Sequence, residues 1–146
     1  MQRKTYTFWW ALGSTALMAI GSFGPWVTFL GFSVGGTEGD GWFVLGAAVV
    51  GAALVFWQDK SPAHWRLIAA AVAGAVGLAV AAYDWSQIES VASDAEDELT
   101  AALAEAVSPG WGLILSVLAS TSLVAALVVH YVKFSGGHFA QETPSP

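Results

Sequence analysis

The sequence predicts an all-α fold: a polytopic membrane four-helix bundle with an extracytoplasmic amphipathic helix between spans three and four. Three observations lead to this fold class. Of the 146 residues, 55% are hydrophobic and only 11% are charged, which is too few charges to cover a soluble globule. The charges are clumped, so that residues 5–37, 41–58, 67–83 and 106–132 contain none. Each of these stretches reaches the about 17 to 25 residues that a helix needs to cross a bilayer.

The predicted spans are residues 7–30, 42–57, 67–83 and 111–132. Each is expected to be helical, because lipid cannot hydrogen-bond the free backbone of an isolated strand. The second and third spans are short, so their ends should lie close to the membrane interfaces with little tilt. A soluble helical bundle is the alternative, but its helices would need polar outer faces that these segments lack. The transmembrane domain then covers residues 1–134, and residues 135–146 form a flexible cytoplasmic tail.

The charged residues predict the orientation. If the N-terminus is cytoplasmic, all basic residues fall inside, in agreement with the positive-inside rule. Nine of the eleven acidic residues then fall outside. We therefore expect a multi-pass protein of the cytoplasmic (inner) membrane with both termini in the cytoplasm. The basic residues are Arg3, Lys4, Lys60, Arg66 and Lys133.

Tryptophan and tyrosine rings give an independent check, since they prefer the headgroup level on either side of a bilayer. With the predicted spans, no Trp or Tyr is left at mid-membrane. The inner set is Tyr6, Trp9, Trp10, Trp57, Trp65 and Tyr131, and the outer set is Trp26, Trp42, Tyr83, Trp85 and Trp111.

A cleaved signal peptide is the competing interpretation of the N-terminus, because Arg-Lys followed by an apolar run resembles its first two regions. The run is too long for the apolar region of such a peptide, and no clean small-x-small cleavage site precedes Pro25. The chain contains no cysteine, which rules out disulfides and thiol chemistry.

Residues 84–110 form the main polar segment, and apolar residues recur there at spacings of three and four. We predict an amphipathic outer helix over residues 86–107, opened by a capping box of Ser86 and Glu89. Its apolar stripe either caps the bundle, or the helix docks a partner through an acidic cluster. The candidate docking residues are Asp94, Glu96, Asp97 and Glu98.

The outer turn between spans one and two is rich in glycine and carries two carboxylates. It could hold a calcium ion, since hard cations prefer several oxygen ligands, but a solvated turn is the more ordinary interpretation. We expect the proline to bend the end of span one and the first tryptophan to sit at the outer headgroups. The residues concerned are Gly24, Pro25, Trp26, Glu38, Asp40 and Trp42.

Small residues at intervals of four predict close helix packing. Ala47 with Gly51 and Ser116 with Ser120 show the pattern in spans two and four. These faces either pack the bundle itself or present a surface to a partner, including a second copy of the chain. Span three holds the longest set, Ala70, Ala73, Gly74, Gly77 and Ala81.

No motif in the sequence indicates catalysis, so we expect a non-enzymatic protein without a cofactor or a bound metal. His64, His130 and His138 are not spaced as metal ligands. No glycine loop is followed by Lys-Ser or Lys-Thr, as phosphate binding would require. The spans contain no Asp, Glu, Lys or Arg of the kind that marks an ion path. We expect the lipid bilayer and a protein as partners, and no nucleic acid.

The motifs GSFGPWVT and GGTEGDGW, followed by an apolar run, resemble those of small uncharacterised four-span membrane proteins of actinobacteria and their phages. Some proteins of this size from mycobacterial prophages are similar in topology and take part in exclusion of other phages beside a cytoplasmic partner. The resemblance implies a role in superinfection exclusion or membrane integrity. The alternatives are an accessory subunit of a larger envelope or respiratory complex and the passage of a small solute or ion.

Overall fold

The computed structural model describes residues 6–60, 64–93, 102 and 105–139. Four long helices make up most of this described part of the chain. The described structure is mostly helical, as the sequence predicts. The helices are α1 (Tyr6–Phe23), α2 (Gly41–Lys60), α3 (His64–Ser93) and α4 (Trp111–Phe139).

The helices pack as a closed ring in which α1 contacts α2 and α4, and α3 contacts the same two helices from the other side. Two contacts far apart along α1 fix its direction relative to α4. Thr7 near the start of α1 hydrogen-bonds His130 near the end of α4. Gly21 near the end of α1 lies against Gly112 at the start of α4. The two helices are therefore antiparallel, and the start of α1 and the end of α4 share one end of the bundle.

Three of the described helices are long and apolar enough to cross a membrane, judged by length and composition. The segments are Gly41–Gln58, His64–Ser90 and Trp111–Val132, and they cover the second, third and fourth predicted spans. Helix α1 is not among them. Its 18 residues include Gly13, Ser14, Thr15 and Ser22, which lower its mean hydropathy.

The first predicted span ends earlier than the sequence suggested. Helix α1 stops at Phe23, and the chain continues from Pro25 as strand β1 rather than as a bent helix to Leu30. The physical reason lies in the Gly24-Pro25 pair. A proline disfavours the helical conformation of the residue before it, and glycine adds little helix propensity of its own. The pair therefore ends the helix instead of kinking it.

A small antiparallel sheet, which the all-α prediction did not include, covers one end of the bundle. Its strands are β1 (Pro25–Phe29), β2 (Phe32–Gly35) and β3 (Val107–Pro109), in the order β2-β1-β3. A 3-10 turn, Gly36–Glu38, leads from β2 into α2. The sheet is thus built from the segment that links α1 to α2 and from the segment that leads into α4.

The two-residue turn between β1 and β2 has positive φ at both positions, 45° at Leu30 and 86° at Gly31. Positive φ at both central residues is the requirement of the type I′ hairpin turn, whose twist matches that of the flanking strands. Its usual signal is Asn-Gly or Asp-Gly, and Leu-Gly inside an apolar run does not announce it. For that reason the hairpin could not be predicted from the sequence.

Helix α3 runs without interruption from His64 to Ser93, so an outer helix does not begin at Ser86. Ser86 and Glu89 form no capping box. The Ser86 hydroxyl donates to the Tyr83 carbonyl (2.7 Å), and Glu89 accepts from the Trp85 indole (2.8 Å). At 30 residues, α3 is about 45 Å long, against a bilayer core of about 30 Å. Most of the remaining predicted helix lies outside the described residues.

Candidate functional site

The small residues of span three face the interior of the bundle. Ala70, Ala73, Gly74, Gly77 and Ala81 are all buried. A Cβ atom added at Gly77 would lie 2.7 Å from the terminal methyl of Met18 on α1 and 3.2 Å from the Ser120 hydroxyl on α4. This face therefore packs the chain's own helices, which is the first of the two uses that the sequence allowed.

The chain approaches itself closely where α1 ends and α4 begins. A Cβ atom at Gly112 would lie 2.6 Å from the carbonyl carbon of Gly24 and 2.7 Å from the Gly21 carbonyl oxygen. These neighbours are backbone atoms, which cannot rotate away. Sequence reasoning missed this crossing, although Gly112 continues the Ser116 and Ser120 spacing by one step towards the N-terminus.

Hydroxyl and indole groups join α1 to α4 nearer the other end. The Trp10 indole donates to the Ser122 hydroxyl (2.8 Å), which also pairs with the Ser14 hydroxyl (3.0 Å). Hydrogen bonds between membrane helices contribute about 0.6 kcal/mol on average, up to about 1.7 kcal/mol. The hydroxyls of Ser116 and Ser120 are fully buried and have no hydrogen-bond partner within the described part of the chain.

Trp26 is buried at the sheet-covered end and does not have the exposed position expected of an interfacial ring. Only 4% of its surface is exposed, and its indole donates to the Gly21 carbonyl (3.0 Å). The register between β1 and β2 shifts between Pro25 and Val27, so Trp26 is the extra residue of a bulge. Its position in the bulge accounts for this burial, since a bulge re-aims a side chain.

Backbone hydrogen bonds tie the sheet to the helix ends. The Gly36 amide donates to the Gly24 carbonyl (2.9 Å), and the Gly110 amide donates to the Trp26 carbonyl (2.8 Å). Added Cβ atoms at Gly36 or Gly110 would collide with Trp26 or Pro25. The glycines of this end are therefore required for close packing, beyond the reversal of chain direction that the sequence suggested.

The remaining residues of the predicted outer turn are exposed. Glu38 lies in the 3-10 turn, Asp40 precedes α2, and Trp42 in the first turn of α2 is 61% exposed. Within residues 6–60, 64–93 and 105–139, no group of three or more His, Asp or Glu side chains is placed to hold a metal ion.

A groove of about 490 Å³ opens between the sheet and the outer part of α3. Its polar lining includes Asp40 from the start of α2, and Asp84 and Gln87 from α3. The sequence grouped both aspartates with the outer acids, but only the fold brings them to one cavity. The apolar side chains that line the groove are Trp26, Val27, Val34, Ile88, Val107 and Leu113.

The sheet has one polar and one apolar face. Thr28 pairs with Ser33 on β2 and with Ser108 on β3, and its hydroxyl bonds that of Ser108 (2.7 Å). Because directly paired residues point to the same side, these three side chains form a polar row. Alternate residues, including Val27 and Val34, point to the opposite side, where the groove lies. The groove therefore has the apolar face of the sheet as one wall.

The acidic cluster proposed for docking, Asp94, Glu96, Asp97 and Glu98, lies outside the described residues. In the sequence, the cluster follows the end of α3 and precedes β3.

The chain matches no protein-family model, and searches of curated proteins and of solved structures give no match either.

Proposed function

We propose that this chain is a four-span protein of the cytoplasmic membrane, with α1 as the remaining span. The contacts of α1 support this assignment, because it lies antiparallel to α4 from Thr7 beside His130 to Gly21 beside Gly112. Its 18 residues extend about 27 Å, close to the thickness of a bilayer core. A helix packed along a membrane-crossing neighbour over this length crosses with it.

The proposed orientation puts the sheet outside the cell and both termini in the cytoplasm. The charges support it, since Lys60 and Arg66 belong to the α2–α3 junction at one end of the bundle. Asp40, Asp84 and Glu89 belong to the sheet-covered end. Basic residues favour the cytoplasmic side, whereas acids influence orientation little.

The function that fits this arrangement is non-enzymatic and depends on binding another protein. One observation carries the proposal: the small-residue face of α3 is buried within the bundle, while Glu38, Asp40 and Glu89 are exposed at the sheet-covered end. A partner is therefore expected at the outer end. Superinfection exclusion, or protection of membrane integrity together with a cytoplasmic protein, is the process we propose on the resemblance of the GPW and GDGW motifs.

The test changes Asp94, Glu96, Asp97 and Glu98 together to Asn or Gln. Complementary charge steers association, so the quadruple variant should lose partner recovery and phage exclusion while its membrane abundance stays normal. The measurements are immunoblots of membranes and the plating efficiency of phages on a host that carries the gene with its neighbours.

The matched control is a triple change at the same end but outside the cluster, Glu38→Gln, Glu89→Gln and Glu105→Gln. It removes acidic charge from the same side of the membrane and should leave exclusion unchanged. An equal loss of exclusion in both variants would show a general effect of acidic charge and no specific docking cluster. Normal plating by the quadruple variant at normal abundance would contradict the docking role.

A further inference from the structure

We propose that the outer groove binds an organic ammonium ion that carries an apolar group. The inference goes beyond the proposed partner role and does not depend on it, because a small ligand can be tested on the purified chain. Three features carry it: the shape and size of the cavity, its apolar walls, and the sign of its charge.

The size and walls of the groove suit a small amphiphilic molecule. Ligand sites usually measure about 300 to 1,000 Å³ and are mostly apolar with a few polar groups, and this groove of about 490 Å³ fits both criteria. Val27 and Val34 form one wall from the sheet, and Ile88 forms another from α3. Val34 is 50% exposed, so apolar surface remains open to a ligand.

The acidic side chains of the groove determine the sign of the charge that a ligand should carry. Asp40 enters it from the turn before α2 and Asp84 from α3, and none of its described lining residues is Lys, Arg or His. Asp84 is partly buried beside the apolar walls, and Asp40 places a second negative charge near it. A bound cation would relieve the poor solvation of Asp84 and the repulsion between the two carboxylates. The described lining therefore favours a cation over a neutral or anionic molecule.

The small number of oxygen ligands in the lining also favours an organic cation over a bare metal ion. A metal such as calcium prefers six to eight oxygen ligands, whereas the described side-chain oxygens here come from two aspartates and Gln87. The Gln87 amide nitrogen already donates to the Tyr83 hydroxyl (3.0 Å). An ammonium group needs only one or two carboxylates, and its apolar substituent would cover the valine and isoleucine side chains.

The sequence of the neighbouring segment between α3 and β3 contains no basic residue. The segment between α3 and β3 carries Asp94, Glu96, Asp97 and Glu98, which have the same sign of charge as the groove. All basic residues of the sequence belong to the predicted cytoplasmic side. The cation is therefore expected to come from outside the chain, either as a soluble amine or as the headgroup of a lipid.

The experiment measures binding of benzyltrimethylammonium to the full chain in dodecyl maltoside, a detergent without charge, by isothermal titration calorimetry. The wild-type chain should bind it saturably, and neutral benzyl alcohol at least about tenfold more weakly, which corresponds to about 1.4 kcal/mol. Dihexanoylphosphatidylcholine is added as a competitor. Displacement assigns the site to a lipid headgroup, and failure to displace assigns it to a soluble amine.

Three single variants identify the site. Asp84→Asn and Asp40→Asn should each weaken binding about tenfold or more, because each removes a carboxylate from the groove. Glu38→Gln removes the same charge from an exposed residue that does not line the groove and should change affinity less than about twofold. If Asp84→Asn fails to accumulate, the exposed Asp40 still provides the test.

Two results would overturn the proposal. One is equal affinity for benzyltrimethylammonium and benzyl alcohol, which would show that only apolar surface is recognised. The other is an equal loss of affinity in Glu38→Gln and in the Asp40 variant, which would show attraction by the general acidic surface rather than by the groove.

Discussion

Gly112 is a helical glycine at which the bundle has no room for an added atom. Its hypothetical Cβ would overlap the backbone of Gly21 and Gly24, which belong to the neighbouring helix end. Gly46 on α2 offers a matched contrast, because nothing lies within 4 Å of an added Cβ there. The same chemical change therefore has opposite expected effects at two helical glycines.

We predict that Gly112→Ala destabilises the protein by about 1 to 3 kcal/mol, the usual range for an overpacked interior. Gly46→Ala should be neutral or stabilise by up to about 1 kcal/mol, since alanine favours the helix more than glycine does. The measurement is the thermal unfolding midpoint of each variant in detergent, followed by circular dichroism. Similar midpoints for the two variants would mean that α1 and α4 do not approach so closely.

The stability of the β1–β2 hairpin depends on the backbone φ angles of its two turn residues, Leu30 and Gly31. Leu30 has a φ of 45°, a left-handed conformation that costs an ordinary side chain about 1 to 2 kcal/mol. Asparagine tolerates this conformation and is the preferred first residue of a type I′ turn. Gly31 at 86° lies in the region that glycine alone adopts freely.

The two turn positions should respond in opposite directions. Leu30→Asn is expected to stabilise the hairpin by less than about 2 kcal/mol. Gly31→Ala is expected to destabilise it by about 1 kcal/mol. Hydrogen exchange of the backbone amides in β1 and β2 reports the local stability. Faster exchange in both variants would contradict the turn geometry.

The pairing of α1 with α4 can be tested by a cross-link, because the natural chain contains no cysteine. The hydroxyl oxygens of Ser14 and Ser122 are 3.0 Å apart. The double variant Ser14→Cys with Ser122→Cys should form an intramolecular disulfide on mild oxidation, seen as a mobility shift on a non-reducing gel.

The control for this cross-link moves one cysteine by a single position. Thr121 is exposed, and its hydroxyl donates to the Val117 carbonyl of its own helix (2.8 Å). Ser14→Cys with Thr121→Cys should therefore remain reduced under the same conditions. A cross-link in the control alone would require a different rotation of α4.

At the scale of the whole molecule, the prediction is the side of the membrane on which each end lies. Ser33 belongs to the polar face of the sheet, and Ser61 to the link between α2 and α3. In intact cells, a maleimide that cannot cross membranes should label Ser33→Cys and should label Ser61→Cys only after permeabilisation. The reverse pattern would invert the orientation inferred from the charges.

Ser33→Cys and Ser61→Cys make a matched pair, since the substitution is the same and both start from a chain without cysteine. Abundance should be unchanged in Ser33→Cys, because Ser33 is exposed. Labelling of both in intact cells would place both ends on one side, which is incompatible with α2 crossing the bilayer between them.

How much of this molecule follows from the sequence depends on the range of the interactions involved. The apolar stretches of α2, α3 and α4 were predictable, because the need to satisfy backbone hydrogen bonds in lipid acts on every residue of a long uncharged segment. The buried small face of α3 was predictable as a packing surface for a similar reason. A spacing of four residues places Ala70, Gly74 and the residues that follow on one side of a helix.

Other features required contacts between residues distant in the chain. The sheet forms because the segment before α4 reaches β1, and the chain enters β1 only because Gly24 and Pro25 end α1. The continuation of α3 through Ser86 depends instead on a local contact. The Ser86 hydroxyl donates to the Tyr83 carbonyl and does not form the capping box that the sequence suggested. Short-range patterns could support either outcome in both cases.

The sequence by itself determined the apolar helices, the separation of charge and the small-residue faces, since these are properties of composition and spacing. Only the tertiary structure decided that Trp26 is buried, that Gly112 meets Gly21, and that Asp40 and Asp84 share a groove. The physical reason is that these relations depend on how helix ends meet across the bundle. Asp40 and Asp84 are separated along the chain by α2 and the first 20 residues of α3, and no periodicity of either helix encodes their proximity.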